Sequence, residues 1–508
     1  MSLKAKSAIV IRDGKEMEVP IDELVQGDIF LVKPGQKVAI DGTIIEGSSS
    51  IDESVITGES MPVDKTVGDA VVGATMNKQG SLRVRVTKVG GDTMIAKIIQ
   101  MVEKAQDSRA PIQDLVDKIT AVFVPIVLMV AVGTLGIWSL VGRFDIGLTS
   151  FIAILVVACP CAMGLATPIA IIVGVGKAAQ MGILIKDAES LQRLSSIDYV
   201  VFDKTGTITK GQPEVTDVIA MQPDMFQILA SLESHSEHPI AQTIVRKAKN
   251  DKVNLLPVSN FSALAGKGLT GEISGVTYHA GNERLLKEMN IKIEDKVLNG
   301  FTEEGKTPII LTDAYKAIGY VAVADTIRED SLDAVRKLHD LGIKVAMISG
   351  DHINVANHIA KLVGIDTVIA EVLPQDKAHK VAELQNSGHK VAMVGDGIND
   401  APALASADVG IAMGTGTDIA IESAGITLLG GSISKVYDSA LLAKATMRTI
   451  RQNLFWAFFY NIVGIPIAAG VLYPTFRILL SPALEGAAMA FSSFSVVMNS
   501  LRLKYTKI

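Results

Sequence analysis

Cysteine is nearly absent from this sequence: two occur among 508 residues, Cys159 and Cys161. They lie one residue apart inside an apolar run, poorly placed for a structural disulfide, so the expectation is a pair of reduced, functional thiols. Strong charge of one sign is also missing. Lys and Arg number 48 against 54 Asp and Glu, a net charge of −6, and no run of like charges suggests a nucleic-acid-binding tail. No cleavable leader is visible, because Met1 to Lys15 is polar. Repeats and low-complexity stretches are lacking. Apolar residues are plentiful instead. The mean hydropathy of +0.36 is high for an ordinary soluble enzyme and points to membrane segments. The length allows several domains with sizeable cores.

Asp203-Lys204-Thr205-Gly206-Thr207 follows Tyr199 to Phe202, an apolar run that reads as a buried strand. An aspartate at the C-terminal end of a parallel strand sits where open α/β sheets place their chemistry. Such a carboxylate can attack phosphorus and form an aspartyl-phosphate. Gly206 permits the tight turn, and the threonines offer hydroxyls to phosphate oxygens. A second stretch, Val394 to Asp400, follows a strand-like Lys390 to Met393. Its two carboxylates, Asp396 and Asp400, lie in a Gly-rich turn that suits Mg²⁺, a cation that takes one or two carboxylates plus phosphate oxygens and water.

Together these stretches resemble the P-type ATPases, built on the haloacid-dehalogenase phosphorylation fold. The resemblance implies that Asp203 is phosphorylated and that Asp203, Thr205 and Asp396 hold Mg²⁺, with Asp400 close by. Ser349-Gly350-Asp351 matches the phosphate-contacting loop, with Ser where Thr is usual. Lys377 matches the lysine that stabilises the phosphoryl group by charge. Thr57-Gly58-Glu59-Ser60, read alone, is an ordinary turn. Beside the Asp203 stretch it looks like the actuator loop, in which Glu59 orients the hydrolytic water.

The rest of the chain can be read in order. Residues 1–107 alternate apolar and polar positions between Gly, Pro and Asp turns, giving a small β domain with strand candidates at Ala8–Ile11, Asp28–Val32 and Leu82–Val86. A helical connector broken at Pro111 follows. Apolar runs at about 119–141, 148–175, 453–473 and 482–500 are bilayer-crossing candidates. They frame expected segments 108–176 and 448–508, two membrane helices each. Between them lie the two parts of a phosphorylation domain, 177–211 and 321–447, whose strands alternating with helices indicate a parallel, doubly wound sheet. Residues 212–320 form an α+β insert. Ser236 to Pro239, Gly266-Lys267-Gly268 and Ala280 to Asn282 are weak signals singly. Jointly they look like the nucleotide-binding domain of heavy-metal P-type ATPases, which implies ATP contacts from Glu233, His238, Gly266, Gly268 and Asn282. Lys177, Lys186, Arg193, Arg448, Arg451, Arg502, Lys504 and Lys507 flank one side of the membrane runs, against Arg143 and Arg477 on the other. The basic side, with the soluble domains and the C-terminus, is expected to be cytosolic, in an integral protein of the cell membrane.

Pro160 between the cysteines kinks its helix and frees a carbonyl, tolerated only beside protein or a cavity. Two thiols there form a soft pair that selects Cu(I), Zn²⁺ or related metals. Tyr460-Asn461 and Met489 to Ser493 add a thioether and neutral oxygens, with no acid mid-run and Glu485 near an end. This resembles the copper(I)-transporting branch, which implies copper sites at Cys159, Cys161, Tyr460, Asn461, Met489 and Ser493. It also implies ATP as substrate, Cu(I) or Ag(I) as cargo, delivery from a copper chaperone or cytosolic thiols, a lipid bilayer around the helices and no nucleic-acid partner. Zn²⁺ or Cd²⁺ export, a phosphohydrolase without transport, and a copper-binding membrane protein without turnover are the rival readings. Family members carry further membrane helices before the actuator domain and often a Cys-x-x-Cys domain. This chain starts at the actuator domain and shows four membrane runs, so it reads as the major part of such a pump.

Overall fold

The computed structural model describes residues 7–12, 15–54, 62–236, 238–264, 268–289, 291, 295–313, 315–351, 353–397, 400–414, 418–477, 479 and 481–506. The chain divides into two units, residues 1–197 with 424–508, and residues 198–423.

The first unit begins with two small antiparallel sheets. The larger orders its strands Lys15–Pro20, Ser7–Arg12, Ile29–Val32, Leu82–Val86, Gly42–Glu46 and Ala70–Val71. Leu82–Val86 alternates buried and exposed positions, the period-2 pattern of a strand with one face on a core. That core gathers Val10, Phe30, Ile44, Ile51, Leu82 and Val84. Ser49–Asp52 pairs with Val63–Lys65 and Met76–Asn77 in the smaller sheet. Buried Asn77 ties the layers, donating to the carbonyls of Val32 (3.1 Å) and Gly80 (2.7 Å).

Helix Met94–Asp107 ends before Pro111, which opens helix Pro111–Leu140 at a position where its missing N–H costs nothing. Val122, Leu128, Met129, Val132 and Ile137 leave much of this helix's apolar surface exposed, as a bilayer-facing helix does. The next apolar run is two helices, Phe144–Val157 and Cys161–Gln180, parted at Pro160. Among the described residues, Met94–Leu140 and Phe144–Gln180 are the two helical segments long and apolar enough to cross a membrane. Four were expected. The two C-terminal runs are helical, Ser434–Ala468 and Pro482–Leu501, but polar side chains dilute them. Asn453 is one of these. Its amide donates to Ser500 Oγ (2.9 Å) and the Ala166 carbonyl (3.3 Å) and accepts from Asn499 (2.9 Å). Gly174 permits close approach to Thr446, whose Oγ1 would lie 2.7 Å from an added Cβ.

In the second unit five parallel strands run in the order Thr367–Ile369, Lys344–Ile348, Tyr199–Asp203, Val391–Gly395 and Val409–Met413. All but the first are apolar and largely buried, as strands covered on both faces are. An antiparallel sheet is inserted after Asp203. Its strands run Thr209–Ala220, Ala317–Ile327, Thr307–Thr312, Val276–Gly281, Gly268–Ile273 and Ser259–Leu264. Helices Met225–Glu233 and Pro239–Asn250 pack on it through Met225, Leu229, Leu232 and Ile244.

Candidate functional site

Asp203 ends the central strand, where the parallel register places it beside Ile348. It is 5% exposed. Lys377, at the start of helix Lys377–Asn386, reaches in and donates to Asp203 (2.5 Å) and Asp400 (2.7 Å). One carboxylate oxygen from each of Asp203, Asp396 and Asp400 lies within 4.8 Å of the other two. Three carboxylates with one lysine leave the cluster short of positive charge. Burial first, then the Asp400 charge, push the Asp203 carboxyl up to about 7 despite Lys377. Asp396 is raised by burial and Asp400, partly offset by Arg328 and Lys377. Burial works against the Lys377 charge, but Asp203 and Asp400 outweigh it and raise its pKa. A divalent cation accepting hard oxygen ligands fits this donor set.

The backbone after Asp203 is shaped for this cluster. Gly206 takes φ +73°, and a Cβ there would collide with the Asp396 carboxylate. Only glycine lets the turn pass so close. Arg328 braces it, donating to the Gly206 (2.9 Å) and Thr207 (3.0 Å) carbonyls. Sequence reading missed Arg328, because its partners are backbone oxygens that no motif names. Thr205 is exposed, whereas the buried Thr207 hydroxyl has no partner among the described residues. Lys204 pairs with Asp351 at 2.6 Å, and Ser349 Oγ donates to the same carboxylate at 3.0 Å. Glu59, Gly266 and the rest of the Thr57–Ser60 turn lie outside the described residues.

In the inserted domain, Glu233, His238, Gly268 and Asn282 line one cavity of about 440 Å³. His238 precedes helix Pro239–Asn250 and accepts the Ile240 N–H at 3.3 Å through Nδ1, which fixes its ring at the rim. Gly268 sits at φ +149° with its Cα against the Ala280 carbonyl, leaving no room for a Cβ. Asn282 Oδ1 accepts the Leu285 N–H (3.3 Å). Glu233 is 7% exposed, and burial pushes its carboxyl up to about 7.

In the first unit, a cavity of about 260 Å³ is lined by Cys159, Tyr460, Asn461 and Met489, with Ser492 and Glu485. Ser493, expected there, is not among the lining residues, since one residue along a helix turns the side chain by a large angle. Cys161 is exposed and also off that lining. The expectation of two free thiols is overturned: Cys159 and Cys161 are joined as a disulfide. The break at Pro160 (φ −79°, ψ 27°) brings their Cα atoms to 5.4 Å, within the range a disulfide spans. Sequence separation alone had suggested too tight a loop. Glu485 lies near the helix end as expected, in the first turn of Pro482–Leu501, and is 1% exposed and lines the cavity.

The model of the P-type ATPase actuator domain matches residues 2–103, and that of haloacid dehalogenase-like hydrolases matches residues 197–408. A copper-exporting P-type ATPase of Staphylococcus saprophyticus is 50% identical over 513 residues, covering 100% of this chain and 64% of the relative. A copper-exporting P-type ATPase of Staphylococcus aureus is 50% identical over 514 residues, covering 100% and 63%. The chain thus spans a little under two thirds of the length of these relatives. A solved structure of a zinc-transporting PIB-type ATPase superimposes with a TM-score of 0.68 at 31% identity, covering 99% of this chain and 82% of that one. A second solved structure of a zinc-transporting PIB-type ATPase, in a different state, gives 0.59 at the same identity and coverage. With an actuator domain, a hydrolase domain that ends its central strand in Asp203, and these matches along the whole of this chain, the chain is that of a membrane protein and belongs to the P-type ATPase family.

Proposed function

We propose that this chain forms the phosphorylation, nucleotide-binding and cargo-binding parts of an ATP-driven pump that exports copper(I). The observation that carries this reading is Asp203, a buried carboxylate at a parallel strand end, held by Lys377 beside Asp396 and Asp400. ATP is held by the Glu233, His238, Gly268 and Asn282 cavity, and Gly266 is taken as a further ATP contact. An Asp203 oxygen attacks the γ-phosphorus. The bond to the ADP oxygen breaks, and an acyl phosphate remains on Asp203. Lys377 neutralises the phosphoryl charge, and Thr205 and Thr207 offer hydroxyls to its oxygens. Asp203, Thr205 and Asp396 would hold Mg²⁺, which would supply charge neutralisation at the transferring phosphoryl group. Glu59 then directs the water that releases phosphate, and Asp351 with Lys204 supports the phosphate loop.

Once the Cys159–Cys161 disulfide is reduced, the two thiolates bind Cu(I), or Ag(I) by the same softness, with Met489, Tyr460 and Asn461 as further donors. The ion arrives from a copper chaperone or cytosolic thiols. The protein lies in the lipid bilayer of the cell membrane, with the soluble domains and C-terminus in the cytosol, where positive residues concentrate. The working segments are an actuator domain at 1–107, membrane helices at 108–176 and 448–508, a phosphorylation domain at 177–211 and 321–447, and the nucleotide domain at 212–320. Export of Zn²⁺ is a second reading, favoured by the carboxylate of Glu485 in the cargo cavity and by the zinc-transporting neighbour.

The test is ATP hydrolysis by the purified chain in lipid with a reductant, adding Cu(I), Ag(I) or Zn²⁺, with Asp203→Asn as control. Stimulation by Cu(I) and Ag(I), lost in the control, is the expected result. Stimulation by Zn²⁺ alone overturns the copper assignment.

A further inference from the structure

Glu485 is the buried acid that the copper reading leaves without a task. It sits in the first turn of helix Pro482–Leu501 at 1% exposure. Neither carboxylate oxygen has a hydrogen-bond partner among the described residues. A carboxylate removed from water and left unpaired is costly, and within a membrane segment it marks an ion path or a proton relay. Its cavity is the one that holds Cys159 and Met489. Along its helix Glu485 and Met489 are four residues apart, which stacks the two side chains on one face. Carboxylate and thioether therefore face the same space, which Cys159 also lines. The end of the helix that carries Glu485 is the one remote from Arg502 and Lys504.

We propose that Glu485 is a direct oxygen ligand for the cargo cation, placed on the side of the cavity away from the basic helix ends. The proposal rests on the cation-pump reading above. Once the Cys159–Cys161 disulfide is reduced, a soft cation held by thiolate and thioether gains a full counter-charge from Glu485. The carboxylate is a harder and weaker partner for Cu(I) than sulfur. A cation passing from the cysteine pair to Met489 and Glu485 therefore exchanges sulfur for oxygen and is held less tightly. That gradient favours release on Glu485's side.

The test compares wild type with Glu485→Gln and Glu485→Asp in lipid under a reductant. Cu(I) affinity is read by competition with a chromogenic chelator, and thermal melting checks the fold. Glu485→Gln keeps volume and removes the charge. It is expected to bind Cu(I) roughly 10-fold more weakly, the scale of losing one supporting group at a metal site, and Glu485→Asp is expected to recover part of the loss. Unchanged affinity in a folded Glu485→Gln overturns the proposal. X-ray absorption of Cu(I)-loaded wild type needs no variant. An oxygen neighbour beside sulfur supports direct ligation, and an all-sulfur shell overturns it. If wild type binds no Cu(I) and a Cys159→Ser, Cys161→Ser protein behaves identically, the pump reading fails. Wild-type binding lost in that double variant but unchanged in Glu485→Gln fails this inference alone.

Discussion

Glu233 shows at the scale of one side chain how a cavity sets its own conditions. It is 7% exposed, and burial alone raises its carboxyl from 4.5 to about 7. The folded protein therefore keeps this proton through a range where the unfolded chain has lost it. Stability contributed by the group is full below pH 4.5 and falls as pH rises toward 7, by at most about 3 kcal/mol. Glu233→Gln removes the titration. The variant should melt at the same temperature as wild type near pH 4 and several degrees higher at pH 8, by calorimetry without nucleotide. Equal melting at pH 8 would show that Glu233 carries no burial penalty. Side chains differ in how far they declare themselves in sequence. Asp203 and Asp396 are legible because their chemistry requires fixed local neighbours: a strand before, a glycine turn after. Arg328 and Glu485 are not, because their roles are set by what the fold packs against them. An arginine bound to two carbonyls and an acid one turn from a methionine have no local signature.

At the scale of elements, hydropathy located the helices but not their limits. The third apolar run was read from about 453, yet its helix spans Ser434–Ala468. The first half is polar on the outside and apolar only where it packs, so a composition window passes over it. The break between Phe144–Val157 and Cys161–Gln180 was legible, because proline cannot donate to the helix ladder. The consequence of that break for the two sulfurs was not legible, since it depends on the backbone angles at Pro160. Polar residues in the C-terminal helices weaken the hydropathy signal because they serve helix contacts. Asn453 joins Cys161–Gln180 to Pro482–Leu501 through Ala166, Asn499 and Ser500. Asn453→Ala should weaken this packing by about 1 kcal/mol, the usual scale for such bonds between membrane helices. The measure is unfolding in lipid or mild detergent. The loss should largely vanish when Ser500→Ala and Asn499→Ala are already present, because the partners are then gone. Full additivity would mean that Asn453 acts through volume alone.

At the scale of the whole chain, the Cys159 cavity belongs to residues 1–197 with 424–508, and the Asp203 carboxylate cluster belongs to residues 198–423. The proposed pump function requires that occupancy at one of these sites change the free energy of events at the other. Such coupling is reciprocal for binding: whatever factor Cu(I) contributes to one equilibrium must appear in the other. A phosphate mimic such as beryllium fluoride, held by Asp203 and Lys377, provides an equilibrium ligand for the catalytic end. Its affinity should change when Cu(I) fills the cavity, and Cu(I) affinity should change by the same factor when the mimic is bound. A coupling of 1–3 kcal/mol corresponds to roughly 5- to 150-fold. Calorimetric titrations in both orders measure it on the chain in lipid with a reductant. Asp203→Asn should lose the mimic and so remove its effect on Cu(I), while Cys159→Ser should lose Cu(I) and leave the mimic's own affinity in place. Equal factors from the two orders, different from one, establish coupling through this chain. A factor of one in both, with each ligand still bound, would place the coupling outside it.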